Sequence, residues 1–315
     1  MAGGEREGHE LSAAVGGAGP RWPAKGGARL RRPALDGWFW RFTWPDGRAA
    51  IVLTGVCPGW ALAGVAMHPG QVWRSTILDA PVADARGVRI GSAFAGEPER
   101  LRVAIPGARV HADLREAVRW PRPWLGTGPA GWLPGMRQYW LPHVLRAQVE
   151  GFVEADERWS LDGATAYAER NWGNGFPPEW WWGEAHDFRG GDPVTVAFAG
   201  GPALGPLRAT AVVVHVGGRL VRLGEPVLAA VREDLAPGHW ALHGRSARHR
   251  VEIEGSAVPA AAHILDVPVP GERRTVPWSH QHLAGELRVR VTRRGRLVYE
   301  GESSLAGLEH GRAPG

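Results

Sequence analysis

Proton chemistry on a greasy molecule needs a carboxyl that stays protonated, a group to take the proton back, and a wall that tolerates a cation. The stretch from Tyr167 to Phe188, YAERNWGNGFPPEWWWGEAHDF, crowds such groups together. Trp172, Phe176, Trp180, Trp181 and Trp182 fall close to Glu169, Glu184, His186 and Asp187. Apolar surroundings penalise the charged carboxylate and so keep an acid protonated. Ring faces attract positive charge, and an imidazole or a second carboxylate can act as base. Packing alone would also account for the rings, because a buried Trp stabilises a core wherever it sits.

Read as a strand, the segment from Trp180 to Phe188 alternates. Trp180, Trp182, Glu184, His186 and Phe188 share one face; Trp181, Gly183, Ala185 and Asp187 share the other. Glu184 and His186 are therefore candidates for acid and base, with Asp187 competing from the opposite side. Near the start of the chain Trp38, Trp40, Phe42 and Trp44 form a second ladder of rings. One such face of a small barrel points inward and can line a cavity. Trp38, Trp40, Trp172, Phe176, Trp180 and Trp182 are the expected lining. Glu169, two residues before Asn171, and Asp36, just before Trp38, are the other candidate acids. Glu309 holds the place analogous to Glu169 in the second half, and a repeated acid reads as structural. Asn171, Gly173, Gly175 and Pro177 read as the residues that shape a connection.

The elements that must position these groups are strands. Runs such as RVEIEG and ELRVRV alternate as half-buried antiparallel strands do, and Gly-rich pairs punctuate them at hairpin spacing. Helical periodicity is weak throughout. The charge-free run from Ala49 to Met67 approaches membrane-spanning length, but Pro58 and Gly59 interrupt it, so it reads as two buried strands around a turn. The chain also repeats itself in order. DGWFWRFTWPDGRAAIVLTG is echoed by PEWWWGEAHDFRGGDPVTVAFAG, and LRAQVEGFVEADERWSLDGATAYAE by LRVRVTRRGRLVYEGESSLAGLE. The expected organisation is all-β: two tandem antiparallel β-barrel or sandwich units with a pseudo-two-fold repeat, spanning 33–172 and 177–311. A Gly/Ala-rich lead over 1–32 is expected to be disordered. The Pro- and Gly-rich segment 121–144 has no counterpart in the second half and reads as a structured loop or lid.

Composition narrows the function classes. The isoelectric point is near 10.2, yet the net charge is only +5 and Lys25 is the sole lysine. Much of the basic excess sits in the lead, so nucleic-acid binding is not expected. Cys57 is the single cysteine, which leaves no intrachain disulfide or Cys-based zinc site and fits a cytoplasmic protein. His280 and His282 could share a strand face, but no third ligand accompanies them, so no metal is expected. No phosphate-binding glycine motif supports a nucleotide.

The motif YAERNWGNGFPPEWWW resembles the tocopherol cyclase signature: an acid, then NWG, then FP, then a W-x-W pair. RRPALDGWFWRF, GHWALHGRSARHRVEIEG and GELRVRVTRRGRLVYEGESSLAGLEHG resemble further parts of that family in order, so the likeness extends over about 31–311. The resemblance implies a lipocalin-like tandem β fold, related to carotenoid hydratases, and a cofactor-free cyclase. The implied reaction protonates the double bond of a prenylated quinol and closes a chromanol ring. The implied partner is a hydrophobic prenylated small molecule, with contact at a membrane surface compatible with it. Glu184 and His186 stand where the family's central strand carries amides. Two other readings accompany the cyclase: a carrier of a hydrophobic isoprenoid or lipid, and a hydratase in which water captures the cation.

Overall fold

The computed structural model describes residues 33–121, 138–191, 193–204, 207–224 and 228–313. The N-terminal lead and most of the segment read as a lid lie outside them. The described residues are nearly all strand, with a single 3₁₀ turn at Pro259–Ala261 and no α-helix. The all-β expectation holds.

The first sheet is built from β1 (Leu35–Thr43), β2 (Ala49–Cys57), β3 (Trp60–His68), β4 (Val72–Asp79), β5 (Val82–Ala83), β6 (Val88–Ile90), β7 (Phe94–Glu97), β8 (Arg100–Ile105), β9 (Ala108–Arg119), β10 (Gln138–Glu154), β11 (Arg158–Ser160) and β12 (Thr165–Gly173). The second comprises β13 (Glu179–Ala185), β14 (Thr195–Leu204), β15 (Leu207–Val216), β16 (Arg219–Leu223), β17 (Val231–Ala236), β18 (His239–Arg245), β19 (His249–Ser256), β20 (His263–Pro268), β21 (Thr275–Arg293) and β22 (Arg296–Arg312). Their orders match. The first runs β4-β3-β2-β1-β12-β10-β9-β8-β7-β6-β5 and the second β16-β15-β14-β13-β22-β21-β19-β18-β17. In both, the opening strand pairs antiparallel with the closing strand, and a short strand (β11 or β20) pairs off the main path.

Each sheet curls onto itself. Trp40 on β1 meets Phe94 on β7 at 6.0 Å although the two strands are not neighbours. In the second sheet Arg208 on β15 reaches Glu233 on β17, near the opposite edge, at 3.1 Å. Trp38, Trp40, Phe42 and Trp44 point into the core so enclosed by the first sheet. Trp181, Phe198, Trp240 and Val289 point into that of the second.

The remaining faces of β1 and β13 pack sheet against sheet. Tyr167, Leu141 and Leu145 meet Trp182, Ala197 and Val213 in one shared cluster. Ala49, Ile51 and Ala66 meet Leu265 and Leu283 in another. This double burial explains the charge-free run from Ala49 to Met67. β2 and β3 are covered on one side by their own curled sheet and on the other by the second, so neither face carries the polar residues of a solvated strand. The run is a hairpin, and no helix among the described residues is long and apolar enough to cross a membrane.

Candidate active site

Where β1 runs beside β13, residues at the same strand position touch. Phe39 packs edge-on against Trp182 at 5.0 Å. Arg41 donates to Glu184 at 2.8 Å, and Thr43 Oγ1 lies 2.7 Å from His186 Nε2. The latter two pairs are each separated by 143 residues. The lower part of this ladder is closed. Arg41 and Glu184 are fully buried. Glu184 Oε1 lies 2.6 Å from His186 Nδ1, and Thr43 also donates to Asp187. Arg41 further donates to the carbonyls of Leu283 and Leu305. The space for Arg41 comes from Gly307, where a Cβ would stand 2.7 Å from Arg41 Nε. At the matching place in the first sheet the residue is Tyr167.

The upper part opens into a cavity of about 160 Å³ between the sheets. Its ring wall includes Trp38, Phe39, Tyr139, Trp140, Phe176, Trp180, Trp181 and Trp182, and its carboxyls include Glu169 and Glu309. Glu169 pairs across from Phe39, and Glu309 across from Trp182, so the two acids occupy equivalent strand positions. Glu169 Oε2 accepts hydrogen bonds from Tyr167 Oη (2.6 Å), Trp140 Nε1 (2.7 Å) and Trp182 Nε1 (2.8 Å). Glu309 Oε1 accepts from Trp180 Nε1 and Ser279 Oγ, both at 2.7 Å. Among the described residues no cation lies within ion-pair distance of either carboxyl. Burial raises the Glu169 carboxyl to about 7 against the lowering effect of its donors, and the nearby Glu309 adds to the rise. Burial also raises Glu309 above the usual carboxylate range. Tyr167 is pushed well above the usual phenol range, first by burial and then by Glu169, so it remains a donor.

The residues singled out in the sequence separate into two groups. Glu169, Trp38, Phe176, Trp180 and Trp182 line the cavity. The other four acid–base candidates lie outside its lining. Glu184 and His186 sit in the sealed ladder; Asp187 joins it beside Thr43; Asp36 holds Arg170 through two bonds of 2.7 and 2.8 Å. Trp40 is in the core of the first sheet. Trp172 stacks on Tyr139 at 5.8 Å beneath the Arg170 guanidinium. The face bearing Trp180, Trp182, Glu184 and His186 was expected to point into a barrel. It points instead at the neighbouring sheet, because Trp181 fills the inside of its own. Trp181, Trp140, Tyr139, Phe39 and Glu309 also line the cavity, outside the expected set. Strand equivalence between Glu169 and Glu309 was the signal that could have placed Glu309. Among the described residues no group of three His, Cys, Asp or Glu side chains is arranged to hold a metal. His280 is exposed, whereas His282 is buried edge-on against Trp240.

A family model described as tocopherol cyclase-like matches residues 118–312, a span that includes both cavity carboxyls. The chain belongs to the tocopherol cyclase-like family. It is 32% identical over 203 residues to a protein of Oryza sativa subsp. japonica named probable tocopherol cyclase, chloroplastic. It is 28% identical over 202 residues to one of Zea mays named tocopherol cyclase, chloroplastic. Each alignment covers 59% of this chain and 42% of the plant protein, so the chain matches less than half the length of these family members. A solved structure of a Nostoc punctiforme protein of unknown function aligns over 88% of the chain and 95% of its own, at 9% identity and a TM-score of 0.18, which carries no weight for the fold.

Proposed function

We propose that the cavity binds a prenylated quinol and closes it to a chromanol by acid catalysis, with Glu169 as the proton donor. The observation that carries this reading is a buried carboxyl, free of any cationic partner among the described residues, facing a ring-lined cavity with its titration raised to about 7. Near neutral pH such an acid is protonated in a large fraction of molecules and remains strong enough to give its proton away. Three donors converge on Oε2, which leaves Oε1 to carry the acidic proton. Those same donors then stabilise the carboxylate once the proton has gone.

Protonating the trisubstituted double bond leaves a tertiary cation. The faces of rings in this wall attract that charge, by roughly 0.5–1 kcal/mol at an exposed ring and about 2 kcal/mol at a desolvated one. The quinol oxygen then attacks, and no electron is gained or lost overall. The two sheets, whose strand orders match over nine strands, are copies of one lipocalin-like unit joined over 174–178. The site lies at their seam, so a single copy would supply only half of the wall.

Incubation of the chain with a phytyl quinol, with the product followed by chromatography, tests this reading. A chromanol supports it. No product, together with a co-purifying lipid, would instead support a carrier. Addition of water to an isoprenoid double bond without ring closure would support a hydratase.

A further inference from the structure

Glu309 is a half-buried carboxyl that the proton delivery above leaves unused. It lines the same cavity as Glu169 and occupies the equivalent position on the closing strand of its own sheet. The two are linked through Trp182, which is the cross-strand neighbour of Glu309 and donates its indole N–H to Glu169. Across from Glu309 on β21 stands Gln281, which is neutral. Glu309 accepts its hydrogen bonds from Trp180 on β13 and Ser279 on β21. Asp266 also lines the cavity, but its Oδ2 is held by Trp73 at 3.2 Å and Ser75 at 3.1 Å. Glu184 and His186 are walled off by Arg41 and Thr43. Glu309 is thus the carboxyl left to face Glu169 without a charge of opposite sign among the described residues.

We propose that Glu169 and Glu309 act as one proton-sharing pair, Glu169 delivering the proton and Glu309 collecting it. Two negative charges in one ring-lined cavity repel, so each carboxylate makes the other harder to ionise. One carboxyl is then an acid while the other is a base in the same enclosure. The chemical step rests on the cyclisation proposed above. The Glu169 O–H bond breaks as a C–H bond forms on the alkene. The quinol oxygen forms the C–O bond to the tertiary cation, its own O–H bond breaks, and that proton passes to the Glu309 carboxylate. The product is an isomer of the substrate. A proton passing back from Glu309 to Glu169 through the cavity resets the pair.

Two measurements test the pair, the first of them separately from the reaction. The first follows the infrared carbonyl band of protonated carboxyls across pH in the full chain, in Glu169→Gln and in Glu309→Gln. Glutamine keeps an acceptor for the indole donors, and circular dichroism verifies that each variant is folded. Coupling requires the midpoint of the remaining carboxyl to move to lower pH in each variant. Two midpoints unchanged by loss of the partner would overturn the pair. The second measures turnover of a phytyl quinol. Glu309→Gln is expected to lose roughly a hundredfold in kcat, the scale of a missing acid–base group, with a smaller change in KM. Full activity in Glu309→Gln alongside an inactive Glu169→Gln would overturn the collecting role while leaving the proton donor in place. A wild-type chain that makes no chromanol yet shows coupled titration would sink the cyclisation and leave the pair standing.

Discussion

A carboxyl among indoles carries a cost that depends on pH. Glu169 has its titration raised to about 7 in the folded chain, whereas in the unfolded chain it returns to the ordinary carboxylate range. Between those values the folded state holds the proton that the unfolded state has lost. Stability therefore falls as pH rises through this window and levels off above it, by an amount on the order of 3 kcal/mol. Glu169→Gln should remove that slope, because glutamine does not ionise. Urea unfolding of the two proteins between about pH 5 and pH 8 checks this, after the contribution of other titrating groups is cancelled by difference. A second residue-scale expectation concerns Arg41. Replacing it with Met leaves Glu184 buried without its cation, which should cost about 3–5 kcal/mol. Replacing Arg41 and Glu184 together with apolar residues of similar volume should recover most of that loss, as read by thermal or urea melts.

At the scale of elements, the site depends on strands that approach closely enough for rings to lie flat across their neighbours. Gly311 on β22 has the Trp180 ring over it, and a Cβ there would stand 1.9 Å from Trp180 Cε2. Gly311→Ala should therefore push the indole off its place and break its hydrogen bond to Glu309, at a cost of about 1–3 kcal/mol and with a change in tryptophan fluorescence. The sequence made much of this legible. Alternation separated Trp180 and Trp182 from Trp181, and the turn at Pro58–Gly59 marked 49–67 as a hairpin. Alternation does not say which face of β13 looks into its own sheet, because both faces are buried. That choice is made by contacts distant in sequence: Trp181 against Thr210 on one side, Trp182 against Phe39 on the other. For the same reason Glu184 looked like a free acid. Its partner Arg41 lies 143 residues away, and no local pattern announces it.

At the scale of the molecule, two curled sheets whose strand orders match over nine strands meet through their opening strands, and the seam divides into a sealed ion-paired half and a hollow half. The division follows from the residues in which the two sheets differ. Arg41 faces Glu184 across the seam, and Gly307 stands where the first sheet has Tyr167. One half is thereby locked, while Glu169 and Glu309 are left facing a cavity without a cation among the described residues. The most direct test of this account compares chromanol formation from a phytyl quinol by the wild-type chain and by Glu169→Gln, both verified as folded. The account expects product from the wild type and a loss of at least roughly a hundredfold in the variant. Equal rates in the two proteins would contradict it.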